Sequence, residues 1–180
     1  LSGAGIETLA TTFEATGDRR ALDDALVAAR WIIDNRALPG GGYRHDEVDH
    51  GPYLVDNVAM VRAFLLLYRA TADRSWLQRS KDAADFVLDR FVDDNGVFRE
   101  KITSAKHNVD DNLTACRAFN LLYHFTGDDK YHRAAERALS FVATANGPTP
   151  AATVQAGLLL AKTELSESPI HVVIVATKGD

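Results

Sequence analysis

The chain has 180 residues, of which 46% are hydrophobic, so its length and composition suggest one globular domain with one sizeable core. Its 25 acidic side chains outnumber 20 basic ones, and the resulting formal charge of -5 argues against a broad attraction for nucleic acid. No apolar run approaches the roughly 20 residues that cross a bilayer, and the single Cys116 excludes an internal disulfide and a CxxC motif, so we expect a cytoplasmic protein that binds neither membrane nor nucleic acid.

A repeat of 55 residues organises the chain. Thr16, Thr71 and Thr126 lie 55 residues apart. The same spacing relates further sets of identical or similar residues: Asp18, Asp73 and Asp128; Phe13, Tyr68 and Tyr123; Trp31, Phe86 and Phe141; Asp56 and Asp111; Asn57 and Asn112; Arg62 and Arg117; Gly41 and Gly96; Arg44 and Arg99. So many matches at one offset indicate an internal repeat with units 1–55, 56–110 and 111–165.

Each unit is predicted to contain an inner and an outer helix. The inner helix of unit two is apolar almost all round, which is typical of a helix covered on both sides, whereas the outer helix is apolar on one face. The predicted pairs, in chain order, are 6–16 with 18–35, 57–71 with 76–92, and 112–126 with 129–145. The chain is therefore expected to be all-α.

A fourth inner helix without an outer mate is predicted at 149–165, and 166–180 forms a separate segment. Its β-branched run from Ile170 to Val175 predicts a short strand that pairs across a second subunit or with another segment. The period exceeds that of tetratricopeptide, ankyrin or HEAT repeats. Alternating helices with long outer-to-inner loops favour a ring of α-hairpins, here a partial (α/α)6 toroid of about three and a half hairpins.

Four stretches add a family resemblance: GGGYRHDEVDHGPYLVDNVAM, LLYRATADRSWL, LLYHFTGDDKYHRAAERAL and PIHVVIVATKGD. In this order they resemble the C-terminal part of the YyaL-like, spermatogenesis-associated thioredoxin-domain family. The resemblance implies an (α/α)6 toroid like that of six-hairpin glycosidases and N-acylglucosamine epimerases, preceded in full-length members by a thioredoxin-like domain. This chain departs from that pattern, because it has no thioredoxin-like segment, no redox cysteine pair, and fewer hairpins than six.

Asp56 and Asp111 are the first candidate catalytic residues. They occupy equivalent positions where two inner helices begin, and in a ring both would point toward the same mouth. Two carboxylates at the rim of an apolar well can divide acid and base roles when their environments differ. The alternative is that they are ordinary helix N-caps.

The loop before the second inner helix is the second candidate. A sugar could stack on and hydrogen-bond to its polar and aromatic side chains, or His45, Asp46 and His50 could hold a metal ion. No HExxH or EF-hand spacing supports the metal, so we predict no metal and no cofactor. A solvated surface loop is the third possibility. The candidate ligand-binding residues of this loop and of its equivalent in unit three are Tyr43, Arg44, His45, Asp46, Tyr53 and His107.

Arg62 and Arg117 share a repeat position on apolar inner helices. An unpaired buried charge is costly, so each must find a partner or open onto a central cavity, where it could bind an anionic ligand. Glu7 occupies the equivalent position in unit one and is the predicted partner of Arg62.

Two functions follow from these features. The first is a carbohydrate-active domain with a sugar ligand, related to glycoside hydrolases or sugar epimerases, with Asp56 and Asp111 as acid and base. The second is a non-catalytic binding or scaffold module that accompanies a thioredoxin-like domain. Because a partial ring leaves inner-helix surface uncovered at both ends, we also predict a homodimer or an N-terminal half outside this sequence.

Overall fold

Seven α-helices make up the described part of the computed structural model, which comprises residues 2–48, 51–145, 152–167 and 169. The helices are α1 Gly3–Thr16, α2 Arg19–Arg36, α3 Leu54–Thr71, α4 Arg74–Arg90, α5 Val109–Thr126, α6 Asp129–Ala145 and α7 Ala152–Ser166. Within these ranges the only β-type pairing consists of isolated bridges. The all-α prediction is confirmed, while the predicted strand Ile170 to Val175, His50 and residues 149–151 lie outside the described residues.

The helices form two layers. Helices α1, α3, α5 and α7 lie side by side, and α2, α4 and α6 pack behind them. The inner helices run parallel, since Glu7 of α1 meets Arg62 of α3 at 3.1 Å, and near the other ends of α3 and α5 the rings of Tyr68 and Phe125 lie 5.8 Å apart. This alternation of inner and outer helices is a partial α/α-toroid, as the sequence predicts.

The core repeats together with the sequence. Around α3, the ring of Tyr43 lies 5.7 Å from Phe64, which in turn stacks on Trp76 at 5.7 Å. The equivalent rings around α5 are Phe98, Phe119 and Tyr131. Because each aromatic chain joins a loop, an inner helix and an outer helix, it fixes the loop onto its own hairpin.

Short turns join each inner helix to its outer mate at one end of the layer. At the turn of unit two, the Thr71 hydroxyl donates to the Leu67 carbonyl at 2.6 Å, and the Asp73 carboxylate accepts from the Ser75 N–H at 2.9 Å. Ala72 between them has φ 56°. The equivalent turns, centred on Gly17 and Gly127, show the same bonds.

Long loops join each outer helix to the next inner helix at the opposite end. Loop one contains a small hairpin, closed by the Ala37–Tyr43 bridge, and loop two contains an equivalent hairpin closed by Val92–Phe98. Buried Asn57 holds the first: its side chain accepts from the Tyr43 N–H at 2.8 Å and donates to the Tyr43 carbonyl at 3.1 Å. The residues after each hairpin are thereby held against the first turn of an inner helix.

The two open edges of the inner layer differ. On α1, Thr8, Thr12 and Thr16 are exposed, and each hydroxyl donates to the carbonyl four residues earlier. On α7, Leu159 and Leu160 are 62% and 46% exposed. The apolar edge that the sequence predicts at both ends is therefore present on α7, while α1 presents threonines. None of the described helices combines the length and apolarity that a membrane span requires.

Candidate functional site

The candidate site lies at the N-terminal ends of α3 and α5. Asp56 and Asp111 are each the third residue of their helix, and the N-cap positions are held by Tyr53 and Asn108. Asn108 accepts the N–H of Asp111 at 3.1 Å, as an N-cap does. The interpretation of the two aspartates as N-caps is therefore wrong, because each lies within the first turn of its helix, after the N-cap residue.

In unit two the partner of Asp56 is an imidazole. His45 Nδ1 lies 2.8 Å from Asp56 Oδ2, with both side chains partly open to solvent. The His45 ring meets the edge of Tyr53, with ring centroids 5.1 Å apart. The ammonium of Lys101 lies 4.3 Å from the centre of the Tyr53 ring, within the range of a cation–π contact.

In the loop that leads into unit three, the residue equivalent to His45 is Glu100. Burial raises the pKa of Asp111, and the negative charges of Asp110, Glu100 and Asp56 raise it further. One aspartate thus faces an imidazole, while the other lies among carboxylates.

Backbone pairing between the two loops assembles this group. Tyr53 and Lys101 form an antiparallel bridge, and the Leu54 N–H donates to the Glu100 carbonyl at 3.0 Å. We call the resulting set the rim group: His45, Tyr53, Asp56, Glu100, Lys101 and Asp111. Glu100 and Lys101 were missed from the sequence. The 55-residue spacing between His45 and Glu100 could have revealed the first, but the contact of Lys101 with Tyr53 has no signal in the sequence.

Four of the predicted loop residues lie apart from the rim group. Tyr43 is buried against Phe64, and burial raises the pKa of its hydroxyl. Arg44 donates to the Asn35 carbonyl at 2.7 Å at the end of α2, and Asp46 accepts the Val48 N–H at 3.0 Å.

His107 is the fourth. It pairs with Asp93 at 3.0 Å and lies against the Phe141 ring, toward the outer layer. Burial alone would raise the pKa of Asp93, but hydrogen bonds from the Val97 and Asn95 N–H groups, together with His107, lower it. The histidine therefore belongs to the loop scaffold.

A cavity of about 440 Å³ opens on the inner wall between α3, α5 and α7. Both predicted arginines line it, and both are paired: Arg62 with Glu7, which confirms the predicted ion pair, and Arg117 with Glu164 through two contacts of 2.9 and 2.8 Å. Asp56 and Asp111 do not line this cavity. Cys116 is buried nearby, and burial raises the pKa of its thiol to about 12, so it stays protonated at neutral pH.

No group of three or more His, Cys, Asp or Glu side chains within the described ranges is arranged to hold a metal ion. At the rim, Nδ1 of His45 and Oδ2 of Asp56 form a hydrogen-bonded pair.

Comparison with known proteins gives likeness in structure alone. No protein-family model and no curated protein matches the chain. The family 76 glycoside hydrolase (mannosidase) Bt3792 from Bacteroides thetaiotaomicron is similar with a TM-score of 0.72 and 17% identity, over 89% of this chain and 52% of that one. The Lin0763 protein from Listeria innocua gives 0.69 and 16%, over 92% and 56%.

A sugar epimerase shares the same architecture. The cellobiose 2-epimerase from Spirochaeta thermophila is similar with a TM-score of 0.68 and 18% identity, over 82% of this chain and 43% of that one. The chain thus spans about half the length of the solved structures that it resembles. At these identities the likeness shows the fold alone, which is a partial α/α-toroid.

Proposed function

We propose that the chain is a carbohydrate-active α/α-toroid domain in which Asp111 is the acid and Asp56 the base. The observation that carries the proposal is the difference between their environments, since repeat-equivalent aspartates face an imidazole in one unit and carboxylates in the next. Pairs of carboxyl groups with separated environments divide acid and base roles in glycoside hydrolysis. The fold supports the substrate class only by analogy with the mannosidase and the epimerase.

In the proposed hydrolysis, Asp111 donates its proton to the glycosidic oxygen as the bond from that oxygen to the anomeric carbon breaks. Its raised pKa keeps the acid form populated closer to neutral pH. Asp56 accepts a proton from the attacking water, whose oxygen bonds to the anomeric carbon. His45 holds the Asp56 carboxylate in place through the 2.8 Å contact.

Tyr53 is the proposed sugar platform. It occupies an N-cap position without making a side-chain cap hydrogen bond, whereas Asn108 at the equivalent position makes one. The first turn of α3 therefore lacks the stabilising hydrogen bond of an N-cap side chain, and a partly exposed ring lies beside Asp56 instead. Aromatic rings provide flat apolar surfaces on which the C–H faces of sugars pack.

We also propose that the chain is related to the YyaL-like family, whose full-length members carry a thioredoxin-like domain.

The test combines ligand binding and turnover. Thermal shift with mannose, cellobiose and nucleotide sugars detects binding, because a ligand of the native state raises the melting temperature. Hydrolysis of aryl α-mannosides and α-mannan, and epimerisation of cellobiose, are then measured for the parent chain, Asp56→Asn, Asp111→Asn and the control Asp94→Asn, whose residue is exposed and distant from both aspartates in sequence.

Loss of about 100-fold or more in turnover for both rim variants, with the control unchanged, supports the proposal. Circular dichroism of each variant must match that of the parent chain. Absence of any sugar-induced shift and any turnover would contradict the proposal and favour the binding or scaffold module. Equal turnover of Asp111→Asn and the parent chain would remove Asp111 from its role.

A further inference from the structure

Each loop hairpin packs onto the outer helix that follows it in the chain. In loop one, a Cβ added to Gly41, whose φ is 97°, would lie 2.6 Å from the Asp82 carbonyl oxygen of α4. A Cβ on Gly42 would collide with the ring of Phe86. The hairpin backbone therefore rests directly on the helix surface made by Asp82 and Phe86, and the close approach requires glycine.

Loop two repeats this contact one unit later. Gly96 has φ 81°, and a Cβ there would lie 2.6 Å from Cδ of Arg137 on α6. Phe141 lies one turn further along α6 and, with Asn95 and Val97, lines the groove beside this hairpin. The surface on which a glycine hairpin packs, which we call the seat, is thus formed by residues at two repeat positions. These are 82 and 86 in unit two and 137 and 141 in unit three.

Helix α2 carries the same two positions, and no hairpin of the described residues lies on them. They are Val27 and Trp31, which are 63% and 40% exposed, whereas the equivalent Phe86 is 7% exposed. Within the described residues, the guanidinium of Arg36 is the recorded partner of the Trp31 ring, at 5.5 Å from its centroid. An exposed tryptophan beside an exposed valine on an otherwise charged outer helix marks an interaction surface.

We propose that Val27 and Trp31 are the docking surface for the glycine hairpin of a further repeat unit, packed beside unit one. The two occupied seats on α4 and α6 define the occupant: a turn with glycine at positive φ, followed by a segment that leads into an inner helix. A second copy of this chain offers no free hairpin of this kind, because both of its described hairpins already rest on their own outer helices. The greater length of the similar structures leaves room for such a unit.

The first experiment supplies such a unit. A copy of residues 56–110 is joined directly before Leu1, which keeps the 55-residue register and brings a second 92–98 hairpin to α2. Trp76 is replaced by Phe in every copy, so that Trp31 is the single tryptophan. Acrylamide quenching of Trp31 is expected to fall about sixfold relative to the Trp76→Phe chain, the ratio of 40% to 7% exposure.

The control for this chain is Gly96→Val in the added copy alone. That side chain cannot occupy the positive-φ position on the seat, so Trp31 should again be quenched as in the chain without the added unit. Unchanged quenching of Trp31 in a tandem chain whose helix content shows a folded extra unit overturns the proposal.

The second experiment remains decisive if the added unit fails to fold. A peptide with the sequence of residues 36–44, closed by a disulfide between cysteines added at its two ends, is titrated to millimolar concentration into the 180-residue Trp76→Phe chain, and a Gly41→Val peptide closed in the same way is the control. Protection of Trp31 by the first peptide and not by the second supports the proposal, and no protection by either overturns it. Protection that instead grows with the concentration of the chain alone, together with dimer in sedimentation, would also overturn it and assign the surface to a second copy.

Discussion

The loops that lead into units two and three share their backbone hydrogen bonds and core contacts but carry different side chains at the rim. In each, a hairpin is held by a buried asparagine, Asn57 or Asn112, that bonds both the N–H and the carbonyl of the aromatic residue 14 positions earlier. Past this point they diverge, with His45 in one loop where the other has Glu100. A repeat can therefore keep its backbone hydrogen bonds and core contacts while the charges at the rim change. This is possible because the residues that hold the hairpin and the residues that carry the rim charges have different partners.

The largest expected effect comes from breaking the shared scaffold. Asn112→Ala leaves the N–H and carbonyl of Phe98 and the Asn108 carbonyl without their side-chain partner. Unsatisfied buried groups cost roughly 1–3 kcal/mol each, so we expect a loss of about 3 kcal/mol or more, measured by urea denaturation. Asn57→Ala should cost a similar amount.

The exposed Asn95→Ala serves as the control and should be close to neutral. A large difference between the two buried variants would show that the scaffolds are not equivalent in energy, even though their bonds match.

The two inner-helix arginines sharpen the comparison on the inner wall. Arg117 binds Glu164 through two contacts, whereas a single contact of 3.1 Å is recorded between Arg62 and Glu7. All four side chains are partly exposed, so we expect about 2 kcal/mol for Arg117→Met and about 1 kcal/mol for Arg62→Met, between the values for surface and buried pairs. Thermal and urea unfolding of both variants measure the difference, and a larger loss for Arg62→Met would contradict it.

The turns at the opposite ends of the helices provide a comparison without rim residues. Ala72 adopts φ 56° where units one and three have Gly17 and Gly127. A left-handed backbone conformation costs a non-glycine residue about 1–2 kcal/mol. Glycine avoids this cost, but part of the gain in stability is lost because glycine also gives the unfolded chain more conformational freedom. Ala72→Gly should therefore stabilise the fold by about 0.5 kcal/mol, while Gly17→Ala and Gly127→Ala should destabilise it by about 1 kcal/mol. A gain in stability for Ala72→Gly and a loss for the two glycine variants in a denaturation series check the assignment, and a loss for Ala72→Gly would contradict it.

The smallest effect concerns the rim itself. Replacing Glu100 by His gives unit three the imidazole of unit two, and the pKa of Asp111 should fall, because a negative charge that raises it is removed. Burial and Asp110 contribute more, so the pKa of Asp111 stays raised. NMR titration of the Asp111 carboxyl measures the change, with Glu100→Gln to separate loss of charge from gain of imidazole. An unchanged titration in both variants would mean that Glu100 does not act on Asp111.

The same shift has a consequence for stability. Since the pKa of Asp111 is raised in the folded protein, folding binds a proton more tightly there, and the contribution of Asp111 to stability falls as pH rises from its ordinary value through the raised one. In Asp111→Asn this decrease of stability with rising pH should be absent. Urea denaturation at acidic and neutral pH detects the difference.

Much of the fold can be predicted from the sequence because the repeat and the apolar periodicity are local properties. The inner helix of unit two was predicted to begin at Asn57, yet it begins at Leu54. The first amide of this extra turn, the Leu54 N–H, donates to the Glu100 carbonyl in the next loop. Such a contact between units leaves no trace in the residues of either loop.

The repeat spacing identifies some members of the rim group and misses others, for related reasons. The spacing identifies Asp56 and Asp111 because the same residue type recurs, whereas Glu100 escapes because its equivalent is a histidine. Tyr43 resembles a ligand-binding aromatic, since it lies in a polar loop, but Asn57 draws its backbone inward and its ring packs on Phe64. Whether a loop aromatic faces solvent depends on that tertiary bond.

The bond between the Leu54 N–H and the Glu100 carbonyl also bears on cooperativity. In a stack of repeats, stability is a sum of terms within units and between neighbours, and a local opening in one unit weakens the next. When loop two opens, the first turn of α3 loses the acceptor of its leading amide. Amide exchange at the start of α3 should then follow the opening of unit three, so that the two halves of the rim group are formed and lost together.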